Sequence, residues 1–264
     1  MKVTCVADDR SLPDSRLRAE HRASLVLETQ GRTMLFDTGQ TASVLLHNLS
    51  VLDAAPEQIG ALILSHAHYD HMGGLEDLLE RLLDVPICAH PDLFREGFRE
   101  TDASPKRLGP PMDRASLEDR ASLQLSPDPV EVIPGVWTTG EIAPRPEPEG
   151  RSRQHMVRKD GGWFSDPYRD DLSLVLDTSE GLLLCGCCHA GLLKTLVTVR
   201  SVFGRDPIAV AGGIHLVHAD TPTLNRVVAK LQQHGPPRLC VGYCTGDRSF
   251  LGLMAGLGDR VSLC

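Results

Sequence analysis

The sequence predicts an α/β protein, and three observations carry that expectation. Short apolar runs bounded by turn residues recur along the chain, and they alternate with stretches whose apolar positions have helical spacing. The two halves, parted by a middle rich in Pro, Arg, Asp and Glu, share one order of strand, loop and helix that suits two sheets facing each other. In the first half, Ser24–Thr29 is β-prone and Gln30-Gly31 supplies a turn into a second strand over 33–37, closed by Thr38-Gly39. Helical spacing follows over 42–48 and again around 56–59, where Pro56 suits a first turn. Residues 61–64 are a continuous apolar run, the mark of a strand buried on both faces. A helix fits 75–83, and 85–89 begins another strand. Beyond the middle, strands are expected at 172–176, 181–185, 208–211 and Arg238–Val241, with helices over Leu192–Phe203 and 223–234. The Gly-rich stretch 242–258 reads as turn chemistry.

The middle, from about 91 to 167, reads as an insertion within a single domain spanning 1–264. It holds a strand pair, 130–133 and 136–139, split by Pro134-Gly135. Residues 143–161, with three prolines and almost no aliphatic side chains, read as an exposed loop. So long a connection in a compact domain suits a lid over a substrate.

Composition narrows the function. Of 264 residues, 41% are hydrophobic and 23% charged, which excludes a disordered chain. Aromatic residues make up only 4%, so the core must be aliphatic. With 27 basic and 35 acidic side chains the net charge is −8, a poor match to nucleic acid or an anionic membrane. No apolar run approaches the ~20 residues of a membrane span, and the N-terminus lacks a signal peptide's apolar core, so a cytoplasmic protein is expected. Eight cysteines are too sparse for a disulfide scaffold. Cys5, Cys88, Cys240 and Cys264 lie in apolar stretches and read as small buried hydrophobes, whereas Cys185, Cys187, Cys188 and Cys244 lie close to the motifs below.

The decisive segment is Leu64-Ser65-His66-Ala67-His68-Tyr69-Asp70-His71-Met72-Gly73-Gly74. Three histidines and an aspartate fall within six residues, directly after a buried strand. Only 11 histidines occur in the whole chain, which makes a chance cluster improbable. Imidazole and carboxylate are the ligands of zinc, iron and manganese, and four such groups in one loop need a cation to gather them. No Gly-x-Ser-x-Gly elbow, phosphate-binding P-loop or dinucleotide-binding glycine pattern competes.

This segment, with Phe36-Asp37-Thr38-Gly39 upstream, resembles the metallo-β-lactamase superfamily, which implies a four-layer αββα sandwich with a metal site at the sheet ends. Glu20-His21, Thr138-Thr139-Gly140-Glu141-Ile142, Gly186–Gly191, Gly212–Leu216 and Tyr243-Cys244-Thr245-Gly246 occur in order and are similar to the branch of dihydropterin/ribofuranosyl-aminobenzene-phosphate synthase-like metal-dependent hydrolases. The resemblance covers most of the chain, with little in 91–128 and 143–168. It implies His66 and His68 as ligands of one metal, Asp70 and His71 as ligands of a second, and Asp37 as the aspartate that orients their loop. Two positions depart from the pattern. Cys187 stands where a bridging aspartate is expected, and Tyr243 stands where the branch has histidine.

His189 and His215 follow expected strands and complete the candidate ligand set with Cys187. The glycines before His215 would let backbone approach a ligand. His90 reads as a buried, hydrogen-bonded residue, and His47, His155, His218 and His234 as surface residues. One or two divalent ions are expected, zinc first, with iron or manganese as the other ions such donors hold. Two ions, Asp70 and a bridging hydroxide sum to +2; a protonated Cys187 leaves that charge, and the site then suits an anionic small molecule. The expected activity is hydrolysis by a metal-bound hydroxide of a small-molecule ester, a phosphoester first and a lactone or thioester next. Asp70 holds the nucleophile and Tyr243 protonates the leaving group. Two rivals remain: a synthase or redox enzyme on a pterin-like or aromatic substrate, and a non-catalytic metal- or ligand-binding protein.

Overall fold

A six-stranded sheet runs in the order Lys2–Ala7, Ser24–Thr29, Arg32–Phe36, Ile59–Ile63, Pro86–Ala89, Ser122–Leu125. The first three strands pair antiparallel and the rest parallel, because after Phe36 the chain returns each time through helical turns. These coordinates, a computed structural model, describe residues 1–11, 14–21, 23–82, 84–142, 149–177 and 181–264, with Tyr243 described by its backbone alone. The chain divides into two units. The first comprises Met1–Ser126 and Arg153–Asp170; the second comprises Pro127–Ser152 and Asp171–Cys264. The 91–167 stretch is thus divided between them.

In the first unit, Leu45 and Leu49 of the helix Ala42–Val51 and Leu75, Leu78 and Leu79 of Leu75–Leu79 pack on Val26, Leu35, Leu62 and Ile87 of the sheet. Thr41 caps the longer helix by accepting from the Val44 amide. Asn48 ends one turn of its buried face. Its Nδ2 donates to the carbonyls of Val6 (2.7 Å) and Arg18 (2.8 Å), and its Oδ1 accepts the Arg18 amide (2.8 Å). The expected helix at 56–59 is a single 3-10 turn, Pro56–Gln58, and of 75–83 only Leu75–Leu79 is helical, with residue 83 outside the described residues.

The unit also holds a small antiparallel sheet ordered Gly162–Ser165, His155–Lys159, Gly97–Arg99, Lys106–Arg107. This corrects the expectation of an exposed loop over 143–161. Residues 143–148 lie outside the described residues, Glu149 and Ser152 are buried, and His155–Lys159 forms a hairpin with Gly162–Ser165 across Asp160-Gly161. Asp-Gly is a strong two-residue hairpin turn, and both residues have positive φ, 50° and 78°. His155, expected at the surface, is buried at the start of this hairpin, with its ring centre 5.1 Å from that of His68. His90 is buried and accepts the Asp92 amide at 3.0 Å, as expected.

The second unit's sheet runs Val261–Leu263, Arg238–Val241, Ala209–Gly212, Leu182–Cys185, Ser173–Leu176, Val136–Thr138, Glu131–Ile133, parallel among the first four strands and antiparallel thereafter. The helices Leu192–Phe203, Thr221–His234 and Asp247–Leu257 cover it through Leu192, Val199, Leu224, Val227, Leu231, Leu253 and Leu257. The last helix replaces the turn chemistry expected at 242–258. Its glycines serve packing: a Cβ at Gly252 would meet Leu224 at 2.4 Å, and one at Gly256 would meet Val228 at 2.3 Å. Of the four cysteines expected in the core only Cys88 is buried, where burial pushes its thiol up to about 11. Cys264 is exposed on the last residue, and Cys5 and Cys240 are half-buried. Among the described residues no helix is long and apolar enough to cross a membrane.

Asn48 supplies the fold's clearest test. Asn48→Ala leaves three backbone groups without their buried partners and should lower stability by about 3 kcal/mol, read as a shift in denaturation midpoint. A midpoint unchanged from wild type would show that water reaches those groups.

Candidate functional site

In the first unit the strand Ile59–Ile63 ends at a loop whose side chains are gathered around one carboxylate. Asp37 follows the strand Arg32–Phe36 in a left-handed conformation, φ 59°, and is 2% exposed. Its Oδ1 accepts the Ser65 amide at 2.7 Å, and its Oδ2 accepts the Ser65 hydroxyl at 2.7 Å and lies 2.6 Å from His71 Nδ1. With Nδ1 facing the carboxylate, His71 presents Nε2 as its donor nitrogen. Ser65 passes the order on: its hydroxyl lies 2.8 Å from His66 Nδ1, so His66 also presents Nε2. That nitrogen stands 3.0 Å from Nδ1 of His68. The His66 ring centre is 4.5 Å from that of His68 and 4.2 Å from that of His71. Asp70 is buried beside them in the single helical turn Tyr69–Met72. Gly73 lets this turn close on the neighbouring loop, because a Cβ there would fall 1.9 Å from the Gln40 carbonyl.

A second set of groups holds the loop from behind. Asp170 accepts the Ala67 amide, between His66 and His68, at 2.6 Å. Arg95 bridges Asp170 and Asp166, with its NH2 3.0 Å from Asp166. Burial opposes the Arg95 charge, but Asp170 and Asp166 outweigh it and hold the guanidinium above its usual range. His155 and Tyr168 flank His68, with ring centres 5.1 Å and 6.2 Å away. Tyr168 has φ 48° and is 1% exposed, a strained backbone for a bulky residue, and its amide is held by Asp166 at 2.8 Å. Sequence reasoning missed His155, Tyr168, Arg95, Asp166 and Asp170. The run Asp166-Pro167-Tyr168-Arg169-Asp170-Asp171 was the available signal, since acidic residues in a proline-containing turn are natural backbone clamps.

In the second unit, Cys185, Gly212 and Val241 stand in one row across three parallel strands, and the loops leaving that row carry the remaining candidates. Cys187, Cys188 and His189 leave the first strand, and all three are buried. His189 Nδ1 lies 2.9 Å from the Gly150 carbonyl, which makes Nε2 its donor nitrogen. Asp171 accepts the Ala190 amide at 2.6 Å. His215 leaves the second strand with φ 41°, and its ring centre is 4.0 Å from that of His189. Its amide donates to the Cys244 thiol at 3.2 Å. A Cβ at Gly212 would fall 2.1 Å from the Cys185 carbonyl of the neighbouring strand, so glycine is needed there for the strands to pair. Donation of its own S–H to Cys185, then burial, hold the Cys188 thiol well above its usual range, so it stays neutral. Tyr243 begins the 3-10 turn Tyr243–Thr245, and its side chain lies outside the described residues.

Within the first unit the structure brings together His66, His68 and His71, with Asp70 in the same turn; within the second it brings together His189 and His215, with Cys187 in the loop of the former. The first set suits a divalent ion by a measurable criterion. Two nitrogens binding one tetrahedral zinc stand ~3.3 Å apart, close to the 3.0 Å between His66 Nε2 and His68 Nδ1. Imidazole donors oriented from behind, here His71 by the Asp37 carboxylate, are the arrangement of protein zinc sites.

Comparison with known proteins agrees. The family model of the metallo-beta-lactamase superfamily matches residues 17–170. The chain is 29% identical over 269 residues to 7,8-dihydropterin-6-methyl-4-(beta-D-ribofuranosyl)-aminobenzene-5'-phosphate synthase of Methanocaldococcus jannaschii, covering 94% of this chain and 89% of the other. Its fold is similar to the crystal structure of Tm1679, a metal-dependent hydrolase of the beta-lactamase superfamily, with a TM-score of 0.84 at 21% identity over 99% of this chain and 95% of that one. It is also similar to the metallo-beta-lactamase fold protein YhfI of Bacillus subtilis, with a TM-score of 0.60 at 13% identity over the same shares. The matched model covers more than half the chain, including Asp37 and the whole His66–His71 loop, and the protein belongs to the metallo-β-lactamase superfamily.

Proposed function

We propose that the protein is a metal-dependent hydrolase of a small anionic ester, a phosphoester first, working in the cytoplasm. The observation that carries this reading is the ordered imidazole set: Asp37 and Ser65 turn His66 and His71 so that each presents Nε2, and His68 Nδ1 lies 3.0 Å from that of His66. The proposed ligands are His66, His68, Asp70 and His71 from the first unit and Cys187, His189 and His215 from the second. One or two divalent ions bind, zinc before iron or manganese. Such an ion supplies Lewis acidity, polarising the ester oxygen and lowering the pKa of water.

The chain's own residues do the rest. Asp70 orients the attacking water, Tyr243 gives a proton to the leaving oxygen, and buried aliphatic surroundings limit competing water. A second reading, a synthase acting on a pterin-like or aromatic substrate, is favoured by the 29% identity to a protein of that description along 94% of this chain. Elemental analysis with assays on aryl phosphodiesters separates them: a zinc protein that cleaves these esters supports hydrolysis, and a coloured iron protein inert towards them supports the rival.

The ligand loop comes first among the tests. His66→Ala or His68→Ala should strip metal and abolish turnover while leaving a soluble fold, and unchanged metal content in both would sink the assignment. Asp37→Ala should act more mildly, costing about 10–100-fold in metal affinity, because it frees His71 and Ser65 to rotate. A titration giving wild-type affinity would remove Asp37 from any orienting role.

Cys187 is tested by Cys187→Asp. A carboxylate is ionised at neutral pH, whereas an unperturbed thiol with a pKa of ~8.5 is mostly protonated. The variant should retain a second ion longer against chelator. A destabilised variant with unchanged metal content would instead mean that Cys187 only packs.

A further inference from the structure

We infer that one face of the small sheet binds the far end of the substrate, with Arg99 and Lys106 holding an oxyanion that lies beyond the reacting group. The inference rests on the proposed ester substrate and deepens it. Pairing fixes which residues share the face. His155 is directly opposite Arg99, and Arg99 is directly opposite Lys106. Directly opposed residues of antiparallel strands project to the same side with Cβ atoms ~4.5–5.5 Å apart. The row His155, Arg99, Lys106 therefore begins at a buried imidazole 5.1 Å from the ring of His68 and ends on two exposed cations. Alternation along His155–Lys159 adds Val157 and Lys159 to the same face, and Phe164, opposite Val157 and 57% exposed, adds an aromatic ring.

Charge makes this row unusual. Arg99, Lys106 and Lys159 share its face, Arg107 and Arg158 alternate to the other, and the four strands hold no Asp or Glu, in a chain of net charge −8. Elsewhere arginines meet carboxylates, as in Arg95 with Asp166, Arg114 with Glu118 and Arg226 with Glu149. Among the described residues no ion pair occupies the five on this sheet. Neighbouring cations that repel one another, next to apolar and aromatic surface, suit an anion carried on an apolar or aromatic body. Phosphate and carboxylate share that chemistry.

Two ligands that cannot be hydrolysed isolate the far anion: phenylphosphonate, and 4-phosphonobenzoate, which adds a carboxylate across the ring. Calorimetry on the metal-loaded protein at low salt should find the second about tenfold tighter, as two partly exposed ion pairs would give. Added salt should erode that advantage. In the double variant Arg99→Gln/Lys106→Gln the two ligands should bind within about twofold of each other, and Arg99→Lys should keep most of the difference. Equal affinities in wild type, an advantage that the double variant keeps, or binding of neither ligand would overturn the inference. The proposed function is judged separately, by cleavage of bis(4-nitrophenyl) phosphate. Cleavage without the carboxylate advantage ends this inference alone, and the advantage without cleavage ends the hydrolase reading alone.

Discussion

The carboxylate of Asp37 is the constraint on which the first unit's chemistry depends. It sits at the end of a buried strand and is 2% exposed, where an isolated charge would be costly. Three contacts offset that cost, and each sets part of the site: the Ser65 amide fixes where the next strand stops, the Ser65 hydroxyl orders His66, and His71 is turned outward. The left-handed backbone at Asp37 is part of the same device, because it sends the chain on to Gly39 and Gln40, against which Gly73 closes. Strand order, turn geometry and imidazole orientation are thus one problem with one solution.

Much of this was legible in the sequence. Short continuous apolar runs located the buried strands, and the helix Leu192–Phe203 could be bounded to the residue, since Gly191 and Gly204 punctuate a continuous amphipathic pattern. The His66–His71 loop stood out because four metal-binding side chains in six residues have no other economical explanation. In the middle of the chain the strand pair on either side of Pro134-Gly135 was found and the stretch 143–161 was not: prolines and charges hid a hairpin, so His155 read as a surface residue while its partner, Arg99, lies 56 residues upstream. Such long-range pairing leaves no local periodicity. The helix Asp247–Leu257 was missed for a related reason: glycine lowers local helix propensity, and only contact with Leu224 and Val228 shows why glycine is needed.

Consecutive aspartates do parallel work at the junction of the two units. Asp170 accepts the amide of Ala67 in the first unit, and Asp171 accepts the amide of Ala190 in the second, each at 2.6 Å and each beside a candidate ligand histidine. Backbone clamps of this kind fix where a ligand's Cα sits without touching its ring, which leaves ring orientation to Asp37, Ser65 and the Gly150 carbonyl. Position and orientation are therefore controlled by different groups.

The two units also differ in what stands behind their imidazoles. His71 is backed by a carboxylate, whereas His189 is backed by a neutral carbonyl. Cys188, next to His189, stays a neutral thiol and adds no charge. Each unit nevertheless carries a buried aspartate that holds its ligand loop by the backbone, Asp170 at Ala67 and Asp171 at Ala190, so the two imidazole sets differ in what orients their rings and not in how their loops are anchored.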